Sequence, residues 1–256
     1  HYDHGRMKPG KRRDFLKWHA AQDGAGFDLD KERLDYCDSD VLILKEAVEA
    51  YRDMAISKFN LDPLRCPTIA SFCMKNYRTN YMKSENIAIL TKDEYNFVKN
   101  GSGYCGGRTN AVTLLKEWRS EDLERGVYGM YMDVQSLYPT VQFYDELPCG
   151  VPVSSEHEIE FASQAKAKAF VDTHFGYIQC DVDCPTDLYF PVLPEKKDGK
   201  LMFDLLPKRR EVFTSVELSK ALDKGYTLRK VYKTLVFERS TDIFKGYVGT
   251  LLKGKV

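Results

Sequence analysis

The sequence predicts a protein of mixed α+β class. Between residues 28 and 59, apolar residues recur every three or four positions, which is the spacing of one face of an α-helix. Residues 176–185 alternate between apolar and polar side chains, as a half-buried strand does, and residues 226–237 predict a second strand. A chain of 256 residues can bury one or two cores around such elements.

The long predicted helix is capped by Asp28 or Asp30 and runs to about Phe59. Tyr36 and Asp40 are four residues apart, so they project from the same face. A carboxylate that binds a metal ion beside a phenol that orients water suits a hydrolytic site. Taken alone, such a pair is more commonly a solvated Asp and a packed Tyr. The apolar stripe of this helix consists of Leu34, Cys37, Val41, Leu44, Val48, Tyr51 and Ala55.

A glycine-rich segment follows at residues 101–111. Gly106 and Gly107 let the backbone approach a ligand closely or adopt a positive φ, and Tyr104 and Arg108 flank them. The alternative is a plain turn.

Residues 127–144 carry the strongest signal of the chain. The apolar run 127–132 predicts a strand buried on both faces that ends at Asp133. Ser136 is expected to cap a helix that has Pro139 in its first turn. A carboxylate suits a hard cation and a helix N-terminus suits phosphate, so a metal–triphosphate site is expected here. An ordinary strand end with a turn Asp and a packed Tyr138 is the alternative.

The second half of the chain predicts several further elements. We expect a loop at residues 147–152, a helix over 156–174 and the strand over 176–185, in which Asp181 and Asp183 face solvent and form no metal pair. Short strands or loops follow at 188–194 and 200–207. A capping box at 214–217 opens a helix that ends at Lys224-Gly225, and a last helix is expected over 243–252.

Basic residues cluster at residues 208–210 and on the strand predicted over 226–237, but they do not dominate the composition, since 38 basic and 38 acidic residues cancel. Their contact with DNA phosphate and their exposure as a solvated face are equally compatible with the pattern. Seven scattered cysteines form no zinc spacing and indicate reduced thiols. Without a signal peptide or a transmembrane run, we expect an intracellular protein, cytoplasmic or nuclear. The basic residues in question are Lys208, Arg209, Arg210, Arg229, Lys230 and Lys233.

The segment D-V-Q-S-L-Y-P-T, residues 133–140, resembles the first palm motif of family B DNA polymerases, D-x-x-S-L-Y-P-S. The resemblance implies that Asp133 is a ligand of both catalytic metal ions, Mg²⁺ or Mn²⁺. It also implies that Tyr138 lies under the sugar and rejects a 2′-hydroxyl. The residues it assigns to the nucleotide phosphates are Val134, Gln135, Ser136 and Leu137, and Tyr138 completes the nucleotide-binding set.

Two other segments resemble motifs of the same family. Y-C-D-S-D-V, residues 36–41, is similar to the third motif of the 3′–5′ proofreading exonuclease, which makes Tyr36 and Asp40 catalytic and Asp40 a metal ligand. The upstream carboxylate motifs of that exonuclease are not recognisable here. G-Y-C-G-G-R resembles the Y-x-G-G motif of the protein-primed branch, which assigns DNA binding to Tyr104, Gly106, Gly107 and Arg108.

The resemblance implies a division of the chain and a fold class. The fold would be α+β, the C-terminal part of an RNase H-like exonuclease domain joined to part of a polymerase palm with a terminal-protein-region insertion. The expected segments are the exonuclease part (1–62), a linker and palm start with the Y-x-G-G motif (63–125), the first palm motif (126–148), the insertion (149–210) and the palm continuing toward the fingers (211–256).

The implied protein is a protein-primed, proofreading DNA polymerase of a virus, plasmid or mobile element, of which this chain is an internal piece. Its expected partners are primer–template DNA, dNTP and a terminal priming protein, with no membrane contact, and it is expected to be a monomer. The chain alone is expected to be inactive, because the second palm carboxylates and the fingers lysine are missing. Two rivals are a non-catalytic DNA- or protein-binding remnant and a stand-alone nuclease.

Overall fold

The computed structural model describes residues 4–22, 26, 28–83 and 87–253. The chain divides into two compact units, residues 1–76 and residues 77–256, and each is described by itself. No helix in these described ranges has both the length and the apolar character that a membrane crossing requires.

The first unit is helical. Its elements are α1 (Pro9–Ala21), α2 (Leu29–Phe59) and the start of α3 (Ile69–Asn80), with single 3₁₀ turns at His4–Arg6 and Pro63–Arg65. Asp28 caps α2, because its carboxylate accepts the backbone N–H groups of Asp30 and Lys31, each at 3.1 Å. Asn60, at φ 54°, ends the helix. The helix predicted over residues 28–59 is therefore confirmed.

The core of the first unit gathers at the C-terminal end of α2. Ala55 and Phe59 pack there against Phe72 of α3, with Tyr51 beside them. The predicted apolar stripe is buried only at this end, because Leu34, Val41 and Leu44 stay about two-thirds exposed within the described chain.

The second unit is built on a four-stranded antiparallel sheet in the order β1-β6-β2-β5, with a separate β3–β4 hairpin. Its strands are β1 (Leu147–Glu160), β2 (Gly176–Asp183), β3 (Glu195–Lys197), β4 (Lys200–Met202), β5 (Lys208–Thr214) and β6 (Thr227–Ser240). Its helices are α4 (Lys92–Asn100), α5 (Ser120–Glu124), α6 (Leu137–Tyr144), α7 (Gln164–Thr173), α8 (Ser215–Asp223) and α9 (Lys245–Lys253).

One face of this sheet forms the main core against α7 and α8. Burial alternates along β2, where Ile178, Cys180 and Val182 are fully buried and their neighbours are not, as the sequence predicts. Leu218 of α8 and Val171 of α7 cover these residues. Each such side chain contributes about 1.5–3 kcal/mol to the free energy of folding through its burial.

The N-terminal part of this sheet differs from the prediction. Residues 147–160 form strand β1, so the expected loop at 147–152 and the expected helix from Glu156 are wrong. The reason is tertiary, since β1 pairs with β6, and Glu156 there bonds Lys233 at 2.7 Å. The helix begins only after Ser163, whose hydroxyl caps α7.

A buried lysine ties the β3–β4 hairpin to β5. The side chain of Lys208 is completely buried, and its ammonium donates to Glu195 at 3.3 Å and also to Asp204. Lys197, which is far more exposed, pairs with the same two carboxylates. Burial of a charge is tolerated only with such compensation, so Lys208 depends on these two acids and they depend on it.

We expect Lys208→Ala to lower the free energy of unfolding by about 3 kcal/mol or more, because two part-buried carboxylates lose their buried partner. Lys197→Ala is the matched control and should cost about 1 kcal/mol or less, since that ammonium is largely solvated. Urea unfolding of both variants measures the difference, and an equal loss in the two would contradict the assignment.

Candidate nucleic-acid and nucleotide site

The segment that leads to Asp133 is not a strand. Residues 127–134 have no regular secondary structure, and the exposed fractions of Tyr131 and Met132 are 96% and 81%. The predicted buried strand is therefore wrong. An apolar run becomes a strand only where another strand offers a ladder, and the described residues give this run no such partner.

The helix after Asp133 is present as predicted. Ser136 is the N-cap residue of α6, and the helix carries Pro139 as its third residue. Ser136 holds a left-handed backbone at φ 56°, and its hydroxyl makes no capping hydrogen bond. Ser136 therefore starts the helix through its backbone alone.

The predicted nucleotide-binding residues lie on the surface around this turn. Val134, Leu137 and Tyr138 are 65%, 49% and 80% exposed, and Gln135 is exposed as well. Asp133 is exposed too, and it forms no hydrogen bond or ion pair with the part of the chain that the structure describes. It is not a salt-bridged structural carboxylate, so its oxygens are open to a ligand.

The surroundings of Asp133 supply one ligand of a metal site and no complete set. Within the described residues, no group of three or more His, Cys, Asp or Glu side chains comes together. A hard divalent cation takes about six oxygen ligands, of which proteins commonly supply more than one carboxylate. The described residues therefore do not by themselves fit a resident ion.

Tyr36 and Asp40 lie on α2 of the first unit, at the expected four-residue spacing on one helix face. Tyr36 is 67% exposed and Asp40 is exposed. As at Asp133, no further carboxylates of the described chain gather around Asp40 to complete a metal site.

The base of the glycine-rich segment is fixed to β5 and β3. Gly103 donates its N–H to the Val212 carbonyl at 2.7 Å, and the Ser102 hydroxyl accepts the N–H of Lys196 at 3.1 Å. A Cβ on Gly103 would lie 2.7 Å from the backbone nitrogen of Thr214. The close approach required of a glycine therefore occurs at Gly103, against the protein's own backbone.

Gly106 and Gly107 are different. Of the two uses expected for these glycines, a positive φ does not occur, and neither glycine would bring a Cβ within 4 Å of another atom. Their backbone faces open space, which leaves room for a ligand. Tyr104 is 58% exposed and lines an apolar cavity of about 320 Å³ with Tyr177 and Phe237. Burial, and then the nearby Tyr104, raise the pKa of Tyr177.

Arg108 closes this segment and is engaged within the protein. Its guanidinium donates to the Pro191 carbonyl and lies 4.2 Å from the ring centroid of Phe203 and 5.8 Å from that of Phe190. The Arg108 side chain is therefore already oriented by two aromatic rings and a backbone carbonyl.

Asp181 and Asp183 lie on the outer face of the sheet, where they are half-buried and hydrogen-bonded. The prediction that they face solvent is therefore wrong. Asp183 pairs with Arg209 and Arg229, each at 2.6 Å. The hydrogen bond from Arg229, with that from Arg209 and against the opposite effect of burial, lowers the pKa of Asp183. The expectation that these acids form no metal pair stays a prediction, and the carboxylate of Asp183 is already paired with two arginines.

Sequence reasoning did not single out the group of Asp181, Arg210 and Tyr232. Asp181 accepts the N–H of Arg210 at 2.8 Å and the hydroxyl of Tyr232 at 2.9 Å. Three strands contribute to it, and no spacing within one segment reveals it. The only available signal was the number of basic residues near residue 210.

Sequence comparison adds a family to this geometry. Residues 14–256 match the family described as DNA polymerase type B, organellar and viral. The chain belongs to this family. The match confirms the resemblance that the palm, exonuclease and Y-x-G-G segments indicate.

Relatives of the chain carry polymerase names. It is 25% identical over 228 residues to a probable DNA polymerase of Neurospora intermedia, covering 88% of this chain and 22% of that protein. It is 26% identical over 249 residues to the DNA polymerase of Human adenovirus F serotype 40, covering 87% and 20%. The chain thus spans about a fifth of the length of these relatives.

The chain is similar to a solved structure of Phi29 DNA polymerase in an orthorhombic crystal form. The similarity covers 71% of this chain and 30% of the Phi29 polymerase chain. Its sequence identity is 18% and its TM-score is 0.45.

Gly103→Ala should lower the free energy of unfolding by about 1–3 kcal/mol, because the new Cβ displaces the segment from β5. Gly106→Ala, which meets open space, should change stability by no more than about 0.5 kcal/mol. Thermal or urea unfolding compares the two variants. A Gly103→Ala protein as stable as Gly106→Ala would show that the segment is not fixed at Gly103.

Proposed function

We propose that this chain is part of a protein-primed DNA-directed DNA polymerase that copies a viral, plasmid or mobile-element genome. The observation that carries the proposal is the octapeptide Asp133–Thr140 inside a family match over residues 14–256. The exposed carboxylate of Asp133, which has no partner among the described residues and lies beside the start of α6, supports it.

Asp133 is proposed as one carboxylate ligand of Mg²⁺ or Mn²⁺, with the other ligands outside the described residues. When bound, the cation would supply positive charge to the incoming triphosphate. The chain's own residues would position the nucleotide, with the backbone of residues 134–137 and the uncapped hydroxyl of Ser136 toward the phosphates. Tyr138, 80% exposed, would meet the sugar.

Tyr36 and Asp40 are proposed to act in 3′–5′ proofreading. Their shared face on α2 supports this role, since the carboxylate would bind a metal ion and the phenol would orient the attacking water. The missing neighbouring carboxylates would have to come from outside the described residues.

The partners proposed are primer–template DNA, dNTP and a terminal priming protein. Open backbone at Gly106 and Gly107, with Tyr104 and Arg108 at either side, supports a DNA contact in the Y-x-G-G segment. The insertion proposed for residues 149–210 would meet the priming protein. Its boundary at residue 210 lies within β5, so insertion and palm continuation would share one sheet.

Asp133→Asn, in the protein translated from the complete reading frame that contains this sequence, should lower primer extension by at least about a hundredfold, because the substitution removes an ionised ligand. Asp145→Asn, an exposed aspartate at the other end of α6, is the control and should extend primers normally. The purified 256-residue chain should not incorporate dNTP, for lack of a second carboxylate. A wild-type protein that binds DNA but never extends a primer would favour the non-catalytic remnant.

Asp40→Ala in the same complete protein should abolish excision of a mismatched 3′ end while extension from a matched primer continues. Asp38→Ala, two residues away on a different side of α2, serves as the control. A gel assay with a 3′-mismatched primer reports excision. Normal excision by Asp40→Ala would remove this residue from the proposed exonuclease site.

A further inference from the structure

One basic residue of the sheet differs from the others in its lack of an ion pair within the described chain. Of the six basic residues on β5 and β6 that the sequence groups together, five have a carboxylate partner within 4 Å. Arg210 is exposed, and in the described chain its guanidinium has no carboxylate within that distance. The five paired residues are Lys208, Arg209, Arg229, Lys230 and Lys233.

Arg210 owes its position to a β-bulge. Between the pairs Cys180–Glu211 and Val182–Lys208, the single residue Asp181 lies opposite both Arg209 and Arg210. Arg210 adopts the left-handed conformation at φ 52°, which is a strained backbone for a residue with a Cβ. The Asp181 carboxylate holds it there by accepting its N–H at 2.8 Å, and Gln179 donates to its carbonyl at 3.1 Å.

A second bulge, on β6, supports the side chain. Tyr232 is the extra residue between the pairs Gln179–Lys233 and Cys180–Val231. Its ring centroid lies 4.2 Å from the guanidinium carbon of Arg210, and its hydroxyl donates to the other oxygen of Asp181 at 2.9 Å. One carboxylate thus fixes both the backbone of the arginine and the ring beneath it. Asp181 has both oxygens occupied and acts here as a positioning residue.

The surroundings of Arg210 suit a polar ligand. It borders a cavity of about 380 Å³ that the amides of Asn96, Asn100 and Gln179 also line. Phe97 adds an aromatic edge, and Lys233 lies over that ring at 5.5 Å. The acids of the cavity are Asp93 and Glu211, and Glu211 already accepts the N–H of Ser102.

We propose that Arg210 is a contact for a backbone phosphate of DNA on the outer face of this sheet. A guanidinium that lies over the ring of Tyr232 is restricted in its movement and keeps N–H donors for two phosphate oxygens, whereas the neighbouring basic residues are already paired with carboxylates. The contact with the Tyr232 ring and the strained bulge at Arg210 together direct the arginine side chain outward. The proposal rests on the proposed function, because it takes DNA as the partner.

The test is fluorescence anisotropy of the 256-residue chain with a labelled hairpin primer–template, across increasing NaCl concentrations. Loss of one phosphate contact should weaken binding by about tenfold near 0.1 M salt and lower the salt slope by about one. We expect this of Arg210→Gln, and equally with a second hairpin of unrelated sequence. Arg209→Gln removes the same charge from the adjacent, paired residue and should leave affinity and slope nearly unchanged.

Arg210→Gly is a second variant that controls for misfolding. Glycine accepts the left-handed backbone of this position, so only the side chain is lost. It should weaken DNA binding as Arg210→Gln does, while circular dichroism stays that of the wild type. Unchanged binding by both variants, or an equal loss in Arg209→Gln, overturns the proposal.

The phosphate contact and the proposed function can fail separately, and the extension assay on the complete protein together with the binding assay shows which of them is wrong. If Asp133→Asn abolishes extension while Arg210→Gln binds DNA normally, only the phosphate contact is wrong. If Arg210→Gln weakens DNA binding while Asp133→Asn still extends primers, the phosphate contact stands and the proposed polymerase site does not.

Discussion

The second unit depends on the pairing of β2 with β6 along almost the whole of β2. Because one face of that pair is buried under α7 and α8, a shift of one residue would expose Ile178, Cys180 and Val182. The register is therefore fixed by the core. The bulges on β5 and β6 interrupt this register locally. They turn Tyr232 and Arg210 outward without moving a core residue.

Asp133 presents the opposite situation. It lies on a surface segment that has no ladder partner among the described residues, and in that part of the chain no group of three or more acids, histidines or cysteines gathers to hold a metal ion. The site proposed at Asp133 would take its remaining geometry from residues outside the described part of the chain, which spans about a fifth of the length of its relatives. The fold of the sheet and the chemistry proposed for residues 133–140 are therefore separable in this chain.

Elements with local signals were predictable from the sequence. The Asp28 cap, the Thr214 cap with Glu217 and the alternation of β2 all depend on residues a few positions apart. Strand β1 and the irregular run before Asp133 were not predictable from the sequence. A strand forms only where it hydrogen-bonds to a partner strand, and the partner of β1 lies far along the chain. The motif residues could be named from the sequence, but their exposure and the group around Arg210 depend on tertiary register.

The Y-x-G-G segment is anchored at both ends. Gly103 is bonded to β5 and Arg108 to the Pro191 carbonyl, and a Cβ added to Gly106 or Gly107 between them would meet no atom within 4 Å. Five residue steps span no more than about 18 Å even when fully stretched. Residues 104–107 are therefore confined to a short loop between these two attachment points, and any molecule that contacts them has to lie within reach of that loop.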